Sequence, residues 1–176
     1  MTSTSTTYGE FTHLYHAGQK LPSAAGVGIR FTNTATVAEG GTALFNINDG
    51  ALYYGKGQEY FQVNNGADSI TLLKTTPQGW FNVVFEVPVR WNEVTGGWGG
   101  IEVLVNGSSI DYVLESTAAA SHVTQFSGTK KVQLAIGDAV TFRLNAVEGE
   151  MEYGRISLPA PALQNPRCII HLETYI

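Results

Sequence analysis

Residues capable of chemistry fall into a few short patterns in this chain. His13 and His16 form an H-x-x-H pair, but two histidines are fewer ligands than a zinc site needs, so they indicate surface or packing roles. The run "VEGEME" places Glu148, Glu150 and Glu152 at alternate positions, where on a strand they would share one face and repel. This run therefore indicates either a solvated loop or a cation bound near Glu148–Glu152, although it lacks the ligand spacing of an EF-hand loop.

Nothing in the sequence supports a catalytic site. His122 and His171 stand apart from any Gly-x-Ser-x-Gly or comparable nucleophile motif. No residue pattern requires a cofactor either. We therefore predict a protein that is not an enzyme and has no cofactor.

Three tryptophans, Trp80, Trp91 and Trp98, could present a platform on which a sugar stacks. Trp98 lies in "TGGWGG", where the flanking glycines predict a flexible loop without a core for the ring to fill. Two interpretations stay open for Trp98. It contacts a ligand, or it packs against a neighbouring subunit.

Composition excludes several classes of partner. The formal net charge is −5, and no cluster of basic residues exceeds Lys130-Lys131, which argues against nucleic acid or an anionic membrane as partner. The N-terminal residues lack the basic start and apolar core of a secretory signal, and no apolar run approaches the ~20 residues of a membrane helix. The single cysteine, Cys168, cannot form an internal disulfide, and its apolar surroundings predict a buried position.

The N-terminal third of the chain predicts an arm and a leader. Residues 2–7 are short and polar without apolar periodicity, so we expect them to order only against a partner. Short apolar fragments separated by glycine-rich turns follow, which predicts a β-rich leader up to residue 57 and a separate sandwich over 58–176. The candidate attachment residues of the arm are Thr2, Ser3, Thr4, Ser5, Thr6, Thr7 and Tyr8.

Alternating apolar residues in the rest of the chain predict strands. In "FNVVFEVPVRW" the apolar side chains fall on one face, and Pro88 predicts a sheet edge or a bulge because it cannot donate a ladder hydrogen bond. Asn106-Gly107 predicts a tight hairpin. Gly137-Asp138 interrupts two alternating runs, and we expect a sharp turn there, with Asp138 accepting hydrogen bonds from amides that follow it. Many short strands without a credible helix predict an all-β sandwich or barrel.

The order of these patterns resembles the C1q/TNF-like jelly-roll superfamily over roughly residues 60–176. The resemblance lies in Gly79-Trp80-Phe81 at the start of a long strand, in Asn106-Gly107, and in the Leu-x-x-Gly-Asp-x-Val turn of residues 134–140. It implies a jelly-roll β-sandwich that assembles as a homotrimer through one sheet of each protomer. By position, Phe81, Phe142 and Tyr175 are the trimer-interface candidates that it implies. The alternative left open is that these rings fill the core of their own protomer.

A second, short resemblance concerns the leader. Tyr8-Gly9-Glu10-Phe11 is similar to a "YGE-aromatic" leader that precedes C1q-like domains in structural proteins of tailed bacteriophages. It implies a virion protein, most simply a capsid decoration (cement) protein on the capsid exterior, made in the host cytoplasm, with the major capsid protein or another virion protein as partner. The alternative function is a tail-tip or spike module that recognises a host surface glycan.

Overall fold

Strands and the turns between them make up nearly all of the described structure. It is a computed structural model that describes residues 15–16, 19–20, 24–30, 34–47, 51–92, 97–118, 123–154, 156 and 168–175. Within these ranges no helix is long and apolar enough to cross a membrane. One short helix, α1 (Gly57–Tyr60), and a 3-10 turn at Asn65–Ala67 interrupt the strands. In chain order the strands are β1 (Tyr15–His16), β2 (Gln19–Lys20), β3 (Ala24–Arg30), β4 (Thr34–Val37), β5 (Thr42–Leu44), β6 (Ala51–Gly55), β7 (Phe61–Asn64), β8 (Ser69–Leu72), β9 (Trp80–Trp91), β10 (Gly97–Val105), β11 (Ser108–Ala118), β12 (Val123–Gln133), β13 (Ala139–Glu148), β14 (Met151–Gly154) and β15 (Ile169–Tyr175).

Apart from a short antiparallel pair formed by β1 and β2, the described strands form two antiparallel sheets. The larger sheet follows the order β4-β14-β9-β15-β3-β6, and β12 pairs with the other edge of β9. The smaller sheet follows the order β11-β10-β13-β8-β7, with β5 also paired to β13. The connection from β12 to β13 therefore passes from one sheet to the other, which is the reason for the interruption at Gly137-Asp138.

The hydrophobic core lies between the two sheets. Every second residue of β9 is buried, from Phe81 to Trp91, as its alternating pattern predicts. In β13 the same alternation buries Val140, Phe142 and Leu144 against β9. The rings of Phe85 and Phe142 meet edge to face, with centroids 6.0 Å apart. Cys168 is buried in this core, as predicted, and burial raises the pKa of its thiol to about 12.

The expected boundary between a leader and a sandwich at residues 57 and 58 does not separate two folded units. Strand β3 pairs with β15 along its whole length and with β6 on its other side, and β5 pairs with β13. Val27, Ile29 and Phe45 are fully buried in the common core. Strands β3, β4 and β5 are thus part of the jelly roll, because they pair with β15, β14 and β13 from the far end of the chain.

Two local predictions have different outcomes. Asn106 and Gly107 both have positive φ angles, 52° and 79°, and they join β10 to β11 as the predicted hairpin. Pro88 lies neither at a sheet edge nor in a bulge, since β9 has neighbours on both sides. On one side β9 pairs with β15 up to Glu86 and with β14 from Val89 onward, so Pro88 falls where the partner changes.

Candidate functional site on the larger sheet

The outward face of the larger sheet contains a row of uncharged side chains. Strand register aligns one residue each from β6, β3, β15, β9 and β12 across the sheet. We call the resulting row the central row; its members are Leu52, Gly28, His171, Val84 and Thr129. The Leu52 side chain is 55% exposed, which makes it the most exposed apolar residue of this face among the described residues.

Two aromatic rings lie close above glycines of β3 beside this row. A Cβ atom at Gly26 would come within 2.1 Å of the Tyr54 ring, and one at Gly28 within 2.9 Å of His171 Nδ1. The Tyr54 and His171 rings meet edge to face, with centroids 5.9 Å apart. The Tyr54 hydroxyl donates a hydrogen bond of 2.6 Å to Glu173 Oε2, which fixes the ring in place. The two rings thus occupy space that a side chain at either glycine would fill.

His171 is the titratable residue of the central row. Burial lowers the pKa of its imidazole, while the Glu173 and Glu86 carboxylates act in the opposite direction. Its Nδ1 atom is buried and has no hydrogen-bond partner among the described residues. The lowered pKa keeps the ring uncharged near neutral pH, so the central row has no formal charge there.

The outward face of the smaller sheet contains paired polar groups. Arg143 of β13 pairs with Glu102 of β10 in a partly buried ion pair. Nearby, the Asn64 amide donates a hydrogen bond of 2.8 Å to the Thr71 hydroxyl. These polar groups satisfy one another within the chain. The outward face of the larger sheet has a similar ion pair, between Arg90 and Glu152, so the feature that makes it the candidate for contact with another subunit is the uncharged central row.

The Gly137-Asp138 turn has a dense set of hydrogen bonds. Gly137 has a φ of 92°, a conformation that favours glycine, and its amide donates to the Leu72 carbonyl at 2.8 Å. Asp138 accepts from the Ala135 amide at 2.8 Å and from the Asn106 side-chain amide at 2.8 Å. The aspartate therefore bonds an amide that precedes it rather than one that follows it. Its contact with Asn106 links this turn to the β10–β11 hairpin.

The trimer-interface candidates occupy different positions. Phe81 is 1% exposed and Phe142 is 0% exposed, each within a single chain. Both rings fill the protomer core, which is the alternative that the sequence left open, and neither has surface with which to contact another copy. Tyr175 ends β15 opposite Ala24, and its side chain lies outside the described part of the structure. The arm candidates, residues 2–8, and the leader motif at residues 8–11 also lie outside it.

The three tryptophans have different environments. Trp91 is fully buried. Trp98 is half-buried in β10, paired with Thr117 on one side and Glu148 on the other, so it is not in the flexible loop that its glycines predicted. Trp80 is 38% exposed at the start of β9 and borders a cleft of about 400 Å³. Among these rings, Trp80 is the one that combines exposure with an adjoining cavity.

The acidic run does not form one charged face. Gly149, with a φ of 77°, separates β13 from β14 and divides the run. Glu150 accepts a hydrogen bond of 2.8 Å from the Asn92 amide, and Glu152 pairs with Arg90. Across the described residues, no group of three or more histidines, cysteines, aspartates or glutamates could hold a metal ion.

Sequence reasoning missed the central row because its members come from distant parts of the chain. The only local signal was "AAGVGIR", in which Gly26 and Gly28 alternate with the buried residues Val27 and Ile29. Such alternation of glycine with apolar residues indicates a strand whose outward face is covered closely by other groups. The identity of those groups, Tyr54 and His171, depends on strand pairing.

Comparisons with known proteins identify the fold. Neither a family model nor a curated protein matches the sequence. Among solved structures, murine APRIL at pH 8.0 is 13% identical, with a TM-score of 0.50 over 85% of this chain and 98% of that one. Eiger TNF from S. frugiperda is 14% identical, with a TM-score of 0.52 over 86% of this chain and 92% of that one.

A further solved structure is similar at a lower score. PRD1 vertex protein P5 is 16% identical and has a TM-score of 0.44 over 86% of this chain and 96% of that one, a score that supports no functional inference. Identities as low as those of APRIL and Eiger show a shared fold alone. The chain has an all-β jelly-roll fold, as its sequence predicted, and this fold is similar to that of APRIL and Eiger TNF.

Proposed function

We propose that this protein is a non-enzymatic structural protein of a bacteriophage virion, which assembles as a homotrimer and decorates the exterior of the capsid. The observation that carries the proposal is the uncharged central row on the outward face of a TNF-like jelly roll. In the trimer, this face of each protomer contacts a second copy. An uncharged surface with an exposed apolar side chain suits a contact between identical chains.

The composition of the chain supports extensive burial of its surface. Only 14% of the residues are charged, against about 25% in typical globular domains. A contact of standard size hides about 800 Å² on each partner, and a protomer in a ring makes two such contacts. Burial of part of the surface in a trimer therefore accounts for the low fraction of charged residues.

The virion location is supported by the leader resemblance at Tyr8-Gly9-Glu10-Phe11 and by the polar arm of residues 2–8. In this proposal the arm orders on the major capsid protein, or on another virion protein, and each trimer bridges neighbouring capsomers. The entropy lost by the arm on ordering is offset by the surface that it buries.

The location is tested by the copy number of the protein in purified particles, measured by quantitative mass spectrometry, and by antibody labelling in electron micrographs. A decoration protein is present in hundreds of copies on the head. A few copies at the tail would overturn the proposal in favour of the receptor-binding module.

The arm is tested separately, by deletion of residues 2–8. The truncated protein should remain trimeric in light scattering and lose binding to undecorated capsids. Binding equal to that of the full chain would contradict attachment through the arm.

A further inference from the structure

We propose that the cleft beside Trp80 binds a carboxylated sugar, of the uronic-acid or sialic-acid class. The cleft has a volume of about 400 Å³, within the range of small-molecule sites. It lies at the β9 and β12 side of the larger sheet, whereas Leu52 lies on β6 at the far side of β3 and β15. The site is complete within one chain, so it does not depend on the proposed assembly or location. The residues that give it its chemistry are Thr76, Gln78, Trp80, Asn82, Lys131 and Thr174.

One wall of the cleft is a tight turn with defined geometry. The Gly79 amide donates to the Thr76 carbonyl at 3.0 Å and closes a four-residue turn with Pro77 at its second position. The Gly79 carbonyl in turn accepts from the Leu134 amide at 2.8 Å, which holds the turn against the end of β12. A wall held in this way is preorganised, so a ligand loses little free energy in ordering it.

The floor of the cleft is similarly fixed. The Thr174 hydroxyl donates a hydrogen bond of 3.0 Å to the Trp80 carbonyl and holds the first residue of β9 against β15. The Lys131 amino group lies over the Trp80 ring, 5.0 Å from its centroid. This contact places a cation against one face of the indole ring.

Lys131 forms no ion pair with any carboxylate among the described residues. Strand register aligns Lys131 on β12 with Asn82 on β9 and with Glu173 on β15. Glu173 is the acidic residue of this row, and it lies two strands from Lys131, about 10 Å away by strand spacing. The Glu173 carboxylate already accepts a hydrogen bond from the Tyr54 hydroxyl. A carboxylate on a ligand would therefore supply the counter-charge that the cleft lacks, through a charge-assisted hydrogen bond.

The remaining polar groups favour a sugar over other anions. The side-chain amides of Gln78 and Asn82 make no hydrogen bond with the described residues, and each can both donate and accept, as adjacent sugar hydroxyls require. The part of the Trp80 indole that Lys131 leaves exposed can contact the C–H face of a sugar ring. A phosphate ligand would call for several converging donors, such as an arginine fork or a row of backbone amides, and the cleft provides a single cation.

The test is titration of the purified full-length chain with N-acetylneuraminate and glucuronate, with glucose as the neutral probe. Binding is measured by calorimetry and by quenching of tryptophan fluorescence up to about 20 mM ligand, which covers weak sites. We expect saturable binding of at least one acidic sugar, and affinity for glucose lower by about tenfold or more because the charged contact is missing.

Two variants and a matched control assign the binding to the cleft. Trp80→Ala and Lys131→Gln should each weaken binding of the acidic sugar by about tenfold or more. Lys74→Gln is the control, because Lys74 also lies over an aromatic ring, that of Tyr60 at 5.3 Å, but pairs with Glu59. It should bind as the parent protein does.

The proposal is overturned if neither acidic sugar binds saturably, or if both cleft variants bind as tightly as the parent. Light scattering on the same samples reports the oligomeric state separately. A trimer that fails to bind sugar contradicts the cleft alone, and a monomer that binds sugar contradicts the assembly alone.

Discussion

At the scale of single residues, the contact between Asn106 and Asp138 joins two turns that lie far apart in sequence. Asp138 accepts from the Asn106 side-chain amide, and the Asn106 side-chain oxygen accepts from the Ala139 amide at 3.0 Å. We expect Asn106→Ala and Asp138→Ala each to lower the free energy of unfolding by about 1 kcal/mol, the usual net value of such hydrogen bonds. Urea denaturation at one fixed protein concentration measures this.

The double variant tests whether the two side chains act together. Because they contact each other, their effects should fall short of additivity by about 0.5 kcal/mol or more. Full additivity would show that the observed contact contributes nothing to stability in solution.

His171 makes stability depend on pH. Its folded-state pKa lies below the ordinary value of 6.5, so the unfolded chain takes up a proton first as the pH falls. The stability that the neutral ring contributes is present above pH 6.5 and is lost as the pH falls through the folded-state value. The charged or titratable groups around the ring are Arg30 on β3, Tyr54 on β6, Glu86 on β9 and Glu173 on β15.

The measurement is the melting temperature of the parent protein and of His171→Gln between about pH 7.5 and pH 5. We expect the parent protein to lose more stability on acidification than the variant does, because the variant has no proton to bind at this position. Parallel curves for the two proteins would contradict a lowered pKa of this partly buried imidazole.

At the scale of elements, alternation along β9 and β13 sets which side chains form the core. Phe142→Ala removes a fully buried ring from contact with Phe85 and should lower the free energy of unfolding by about 3–5 kcal/mol. Ile136→Ala is the control, since Ile136 is 64% exposed in the turn and should change stability by less than about 0.5 kcal/mol. A small effect of Phe142→Ala in chemical denaturation would be inconsistent with its place in the core.

Sequence patterns predicted those elements that local chemistry determines. The alternation of β9 and the hairpin at Asn106-Gly107 depend on residues adjacent in the chain, and the structure has both. Ile136 continues the apolar alternation of β12 in sequence, yet it is exposed because the strand ends at Gln133 and the chain crosses between the sheets. The role of β3 and β5 was not predictable for a similar reason, since they pair with β15 and β13, which lie more than ninety residues later.

At the scale of the whole molecule, many short strands and the ordered motifs predicted the fold class. The same patterns did not predict the surface that we propose contacts another copy. Aromatic residues near the three motifs suggested Phe81 and Phe142, but inward and outward positions alternate along a strand, and one residue of register decides between them. The central row depends on the pairing of five strands, which the sequence patterns do not specify. Its proposed role in assembly can be tested at Leu52.

Leu52→Glu places a charge at the most exposed apolar position of the central row. If this face meets another copy, the three introduced carboxylates must be buried without partners, and association should weaken by about 100-fold or more. Size-exclusion chromatography with light scattering should then shift from three times the 19.0 kDa of one chain to a single chain. The fold should remain, because the Leu52 side chain is 55% exposed in one chain.

Leu44→Glu is the matched control for this variant. Leu44 is similarly exposed, at 46%, but it lies on β5 in the smaller sheet, opposite Arg143. It should remain trimeric and melt cooperatively like the parent protein. A trimer that survives Leu52→Glu and dissociates with Leu44→Glu would place the contact on the smaller sheet, and a parent protein that is monomeric at micromolar concentration would rule out the trimer altogether.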